Sequence, residues 1–243
     1  MRARTRAAAV AAVLLLTGCG PSAGQGSALA ELSFPPAPHQ HLPESAAVQV
    51  AVSDPVPLAE LPHSDWLRDA SERTGIPLRA LTAYAGASLR LAQTDPQCGI
   101  GWNTLAGIGA VESVHGSYLG ASTGTDGTVS PPIIGIPLDG SEGVMEILDT
   151  DDGELDDDTE WDRAVGPMQF IPTTWQDYAQ DGNLDGRTDP HQIDDAVLTA
   201  ALYLCESSDD VTTDDGWSTA LATYNRSVSY AHEVAGLAES YAG

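Results

Sequence analysis

The chain has 243 residues, with 35 acidic against 10 basic side chains and a formal net charge of −25. That surplus repels nucleic acid and anionic membrane surfaces, so nucleic acid is excluded as a partner. A hydrophobic fraction of 42% supplies an ordinary core and excludes disorder throughout, and the length holds one sizeable domain or two small ones.

The chain opens "MRARTRAAAVAAVLLLTGCG", with Arg2, Arg4 and Arg6 ahead of the apolar residues 7–16. Ten apolar residues are too few to anchor stably across a bilayer, so this is read as an export signal. The run Leu16-Thr17-Gly18-Cys19 resembles a bacterial lipobox. That resemblance implies a signal peptide over residues 1–18 and lipidation of Cys19; the alternative is an ordinary secretory signal with an incidental cysteine. Lipidation would make the membrane contact an acyl anchor alone. Setting Cys19 aside leaves Cys98 and Cys205, one pair outside the cytoplasm, which is read as a structural disulfide. It closes a loop of about 107 residues and contributes about 2–4 kcal/mol.

Residues 19–60 read as a tether rich in Pro, Gly and Ser, including Pro35, Pro36, Pro38, Pro43, Pro55 and Pro57. Within it "AAVQVAV" alternates weakly, as a short strand would. From Ser64 the pattern turns helical. "SDWLRDASERTG" has Ser64 as its N-cap and Gly75 as its stop. "PLRALTAYAGASLRLAQ" opens on Pro77 and sets Leu78, Leu81, Ala85, Leu89 and Ala92 along one face. "WNTLAGIGAVES" is a third helix ending near Glu112. "PTTWQDYAQ", "IDDAVLTAALYLCES", "GWSTALATYN" and "SYAHEVAGLAESYA" follow. Seven helical segments with little β alternation give a mainly α domain over residues 61–243.

An insert over about residues 121–160 interrupts the helices. It runs through Gly/Ser/Thr stretches and "SPPIIGIPLDG" into nine carboxylates among the fourteen residues 149–162. Such a stretch reads as a structureless acidic loop. A solvated mobile insert, a substrate-facing flap and an extra cation site are the readings it leaves open.

Three segments carry chemistry. In "GIGAVESVHG", Glu112 has no charged neighbour between Asp95 and Asp126. A carboxylate among Gly, Ala, Ile, Leu and Val loses hydration, so its pKa rises, which suits a general acid for glycosidic cleavage. A Glu that merely caps a helix end explains the same letters. Gly107, Gly109 and Gly116 leave room for backbone or a sugar to approach. His115, three residues on, is given a structural role beside Gly116 in preference to a catalytic pair. In "RAVGPMQFIPTTW", Gln169 lies between Met168 and Phe170, a carboxamide among apolar groups that suits an N-acetyl sugar or simply a packed loop. In "LATYNRSVSY", Tyr224 and Tyr230 offer flat faces with hydroxyls around Asn225; an ordinary helix end is the alternative.

Together, in order, these segments resemble the lytic murein transglycosylase B family, especially its actinobacterial lipoprotein-like members. The resemblance covers about residues 61–242 and weakens within the insert. It implies a lysozyme-like domain that needs no cofactor, and acts as a monomer on peptidoglycan glycan strands. Its place would be extracytoplasmic, lipid-anchored to the cell membrane and facing the wall. It also implies Glu112 as the catalytic acid/base, Met168, Gln169 and Phe170 as a sugar subsite, and Tyr203, Tyr224, Asn225 and Tyr230 as residues lining the glycan groove. The implied product is a 1,6-anhydromuramyl end formed without water. A hydrolytic muramidase using a second carboxylate, and a non-catalytic wall-binding lipoprotein, are the alternatives.

"DGNLDGRTDPHQIDDA" opens like an EF-hand loop with Asp181, Asn183, Asp185 and Gly186, but its twelfth position is Gln192. Some relatives in the resembled family carry a calcium loop whose last carboxylate falls at the Asp195 position. The ligands would then be Asp181, Asn183, Asp185, the Arg187 carbonyl and Asp195 around a structural Ca²⁺. An Asp/Gly turn capping the next helix is the other reading.

Overall fold

The computed structural model describes residues 33–45 and 56–243. The export signal, Cys19 and the alternating stretch 46–52 lie outside the described residues. Among them are seven α-helices: α1 Ser64–Thr74, α2 Leu78–Thr94, α3 Trp102–Ser113, α4 Pro172–Tyr178, α5 Ile193–Ser207, α6 Asp214–Tyr224 and α7 Val228–Ala242. The domain is mainly α, as the periodicity requires. None of the described helices is long and apolar enough to cross a membrane.

Helix α3 is the centre. Residues from Trp102 to Gly109 are buried on every side, and α2, α5 and α7 pack around it. Its glycines permit that crowding. A Cβ on Gly107 would come within 2.8 Å of the Val234 carbonyl oxygen on α7, and one on Gly109 within 2.0 Å of the Tyr84 hydroxyl on α2. The close approach at these two glycines is therefore of neighbouring helices, not of a sugar. Only without side chains can the α3 backbone sit so deep.

Helix termini follow the sequence with small shifts. Gly75 ends α1 in the left-handed conformation (φ 73°), a form that costs glycine little. Ser64 is the first residue of α1, not its cap; His63 holds that place, its side chain accepting from the Asp65 N–H. Asn225 caps the C-terminus of α6. The Cys98–Cys205 disulfide ties the α2–α3 connection to the end of α5.

Residues 33–45, part of the span read as tether, run along the start of α3. The Gln40 carboxamide oxygen accepts from the Gly101 N–H (2.8 Å) and the Thr104 hydroxyl (2.9 Å). Asn103 accepts from the His41 N–H at 3.0 Å and donates to the His39 carbonyl at 2.9 Å. The bond from the Gly101 N–H satisfies one of the backbone donors that a helix N-terminus leaves open.

The insert is ordered rather than structureless. β1 (Ser122–Thr123) pairs antiparallel with β2 (Val129–Ser130), and β3 (Ile134–Pro137) with β4 (Arg163–Val165). Its acidic residues build turns by accepting from backbone: Asp151 from the Leu155 N–H (2.9 Å), Asp156 from the Arg163 N–H (2.6 Å) and Asp162 from the Thr150 N–H (2.8 Å). Asp156 and Asp162 are buried. A two-pronged ion pair from the Arg79 guanidinium to the buried Asp194 carboxylate, with Arg79 also donating to the Thr125 carbonyl, joins α2, α5 and the β1–β2 hairpin.

Candidate active site

Glu112 occupies the last turn of α3, just before the chain leaves the helix through three left-handed residues, Val114, His115 and Gly116. It is half-buried. Burial pushes its carboxyl up to about 8, while a hydrogen bond from Tyr230 works in the opposite direction. That bond runs from the Tyr230 hydroxyl to Oε1 at 2.7 Å. A carboxyl in this position is mostly protonated at neutral pH, and its conjugate base has a donor waiting.

The next residue fastens the site together. The Ser113 hydroxyl donates to the Pro167 carbonyl (2.6 Å) and accepts from the Gly116 N–H (2.8 Å). The loop carrying Met168, Gln169 and Phe170 is thereby held against the end of α3. From the other side the Tyr224 hydroxyl donates to the Met168 carbonyl at 2.7 Å. Three separate parts of the sequence thus meet around Glu112: the end of α3, the loop before α4, and the junction of α6 with α7.

Within this assembly the residues singled out in the sequence differ in depth. Met168, Phe170, Tyr203, Tyr224, Asn225 and Tyr230 are buried, and Gln169 keeps part of its surface open. Gln169 sits at φ 50°, and its amide nitrogen donates to the Gly166 carbonyl at 2.9 Å. Its carboxamide oxygen faces Gly135 of β3, where a Cβ would come within 3.2 Å. The rings form a continuous series: Trp175 against Phe170 (5.6 Å), Phe170 against Tyr224 (6.0 Å), Tyr224 against Tyr203 (6.0 Å), and Tyr203 against Tyr178 (4.8 Å). Asn225 accepts from the Ser227 N–H at 2.9 Å, setting the turn between α6 and α7 that aims Tyr230 at Glu112.

Two partners are not legible in the sequence. Tyr84 and Tyr241 approach the ring of His115 from α2 and α7, each hydroxyl 3.2 Å from a ring nitrogen. They lie 31 and 126 residues from His115, too far for any local pattern.

Two groups of carboxylates bear on metal binding. In the 181–195 loop, Asp181 accepts from the Gly186 N–H (2.8 Å) and the Asp185 N–H (3.2 Å), and Asp185 accepts from the Arg187 N–H (2.9 Å). Asp195 is brought back onto this loop, accepting from the Gly182 N–H (2.8 Å) and the Asp189 N–H (3.0 Å). Burial pushes the Asp195 carboxyl up to about 6, with the negative charge of Asp181 adding to the shift. Carboxylates with the Asn183 amide oxygen are hard oxygen donors of the kind that suits Ca²⁺ rather than a soft metal. Asp181, Asp185 and Asp195 do not, however, converge on one point: their oxygens accept from backbone N–H groups instead. In the insert, single oxygens of Asp149, Asp151 and Asp162 come within 4.8 Å of one another. Burial pushes the carboxyls of Asp151 and Asp162 upward, and neighbouring acids push the same way.

Residues 142–219, about a third of the chain, match the family model of the transglycosylase SLT domain. The matched span holds Met168, Gln169, Phe170, the 181–195 loop and Tyr203, whereas Glu112, Tyr224, Asn225 and Tyr230 lie outside it. The match supports a lytic transglycosylase acting on peptidoglycan glycan strands, on a lysozyme-like, mainly α domain. No curated protein and no solved structure matches the chain significantly.

Proposed function

We propose that this protein cuts the β-1,4 bond between N-acetylmuramic acid and N-acetylglucosamine and leaves a 1,6-anhydromuramyl end. The observation that carries the reading is Glu112, half-buried, with its carboxyl pushed up to about 8 and its Oε1 bonded by Tyr230. Glycosidases of the two-carboxylate kind add a second carboxylate, as base or as nucleophile, whereas here Glu112 is the one carboxyl used and the attacking oxygen is the sugar's own. Protonated Glu112 gives its proton to the bridging oxygen, and the bond from that oxygen to C1 of the muramyl sugar breaks. The muramyl N-acetyl group stabilises the cationic centre. The Glu112 carboxylate, steadied by the Tyr230 hydroxyl, then takes the proton from the C6 hydroxyl as that oxygen bonds to C1. No water enters, and Glu112 ends protonated as it began.

The remaining roles belong to the same proposal. Gln169 holds polar groups of the sugar, and Met168, Phe170, Tyr203, Tyr224 and the buried Asn225 shape the subsite from beneath. Cys19 carries the acyl chains that keep the enzyme at the outer face of the cell membrane, where it acts as a monomer. Asp181, Asn183, Asp185, the Arg187 carbonyl and Asp195 would hold a Ca²⁺ that ties the 181–195 loop to α5 and takes no part in the chemistry.

Release of soluble glycan fragments from purified peptidoglycan tests the enzyme against a wall-binding protein. The wild type should release fragments, and Glu112→Gln should still sediment with the wall but release none. Binding without release by the wild type would leave only the non-catalytic reading.

A further inference from the structure

Helix α3 stops abruptly. Val114, His115 and Gly116 adopt φ values of 52°, 58° and 78° in succession. A non-glycine residue in this region costs about 1–3 kcal/mol and persists where its surroundings over-determine it. Val114 is 55% exposed and contributes little of that constraint. His115 is buried, with Nδ1 3.2 Å from the Tyr84 hydroxyl on α2 and Nε2 3.2 Å from the Tyr241 hydroxyl near the end of α7.

A neutral imidazole has one donor and one acceptor nitrogen, so it can serve both phenols at once. Buried hydroxyls without a partner are costly, which makes the bridge hard to replace. The far end is itself fixed, since Arg73 on α1 donates to the carbonyls of Tyr241 (2.9 Å) and Gly243 (2.8 Å). Helix α7 is also the one that brings Tyr230 to Glu112.

We propose that His115 is a positioning residue for Glu112: by bridging Tyr84 and Tyr241 it fixes the last turn of α3 against α7, so that Oε1 meets the Tyr230 hydroxyl. It acts through backbone and helix placement. The kinetic part of its test rests on the reading of Glu112 as the acid/base; the structural part does not. Burial pushes the imidazole down to about 4, so the bridge stays neutral through the physiological range.

Three variants decide it: His115→Phe, which cannot bridge; His115→Gln, whose amide both donates and accepts; and Tyr241→Phe, which removes one arm. The substrate-free measurement is the titration of Glu112 by NMR of ¹³C-carboxyl-labelled glutamate, with the signal assigned by Glu112→Gln. His115→Phe should move the Glu112 midpoint by more than about half a pH unit, because the Tyr230 contact is lost. His115→Gln should restore most of it, and Tyr241→Phe should fall between. In turnover, His115→Phe should lower kcat about tenfold with KM within about twofold, the pattern of a lost transition-state alignment. A folded His115→Phe with unchanged midpoint and unchanged kcat overturns the proposal, whatever its melting temperature. Should that variant not fold, an unchanged midpoint and kcat in Tyr241→Phe overturn it equally. If the wild type cuts no peptidoglycan, the proposed function fails while the titration still decides this one.

Discussion

The Tyr230 hydroxyl donates to Oε1 of Glu112 at 2.7 Å, joining α7 to the last turn of α3. Burial and this bond act on Glu112 in opposite senses. Burial favours the protonated acid with which the proposed reaction starts, and the bond favours the carboxylate with which it finishes. Hydrogen bonds to charged groups contribute about 1.5–3 kcal/mol, equivalent to about one to two pH units. Tyr230→Phe should therefore move the alkaline limb of the kcat/KM profile upward by about one unit and lower kcat about 10- to 100-fold. A pH–rate series on both proteins checks this. A downward shift would mean that the hydroxyl does not serve the carboxylate.

Glu112 also makes stability depend on pH. Its carboxyl is pushed up from an ordinary 4.5 to about 8, so between those values the folded protein binds more protons than the unfolded chain. Stability from this group falls as pH rises across that window, and the full cost is felt above it. Glu112→Gln removes the cost. At pH ~8 it should be more stable than the wild type by about 1–3 kcal/mol, after allowance for the solvent-facing side, with no gain near pH ~4. Urea unfolding at the two pH values measures the difference.

His115 gives the opposite slope. Its imidazole is lowered from 6.5 to about 4, so the unfolded chain binds the extra proton in that window. Stability is whole above the upper value and declines as pH falls toward the lower one, by about 1–3 kcal/mol. In His115→Gln that part of the acid sensitivity should vanish, leaving the carboxylates' share. Thermal melts of both proteins between those pH values would register the loss of slope.

Calcium should raise the melting temperature of the wild type and leave Asp185→Ala unmoved. Asp195 must be ionised to bind, and its carboxyl is held up to about 6, so the calcium effect should weaken below that pH. A wild type indifferent to calcium removes the site.

How far each part is legible in the sequence follows from what holds it. Helix α2 is legible only in part from apolar periodicity: Leu81, Ala85 and Leu89 are buried, but Leu78, placed on the same face, is exposed. Every residue from Ala80 to Leu89 is buried because α1, α3 and α5 pack around the helix. Glu112 stands out because a lone carboxylate in an uncharged run is itself an unusual pattern. The insert misleads because its order comes from Asp151, Asp156 and Asp162 accepting from nearby backbone, which leaves no hydrophobic period to read. The Tyr84–His115–Tyr241 bridge is hidden for another reason: it joins three helices distant in sequence. The hydrogen bond of Tyr230 to Glu112 spans 118 residues and is equally out of reach: the sequence singles out the ring and hydroxyl of Tyr230 but not their partner.

The most direct test of the central claim, that Glu112 alone passes one proton between two sugar oxygens, is the mass of the new glycan ends. Purified peptidoglycan is digested with the wild type, and the muramyl ends of the released fragments are weighed. Each end should be lighter by one water than its hydrolysed counterpart, as a 1,6-anhydro ring requires, and the signal should vanish with Glu112→Gln. Free reducing ends in place of anhydro ends would contradict the account and make the enzyme a hydrolase.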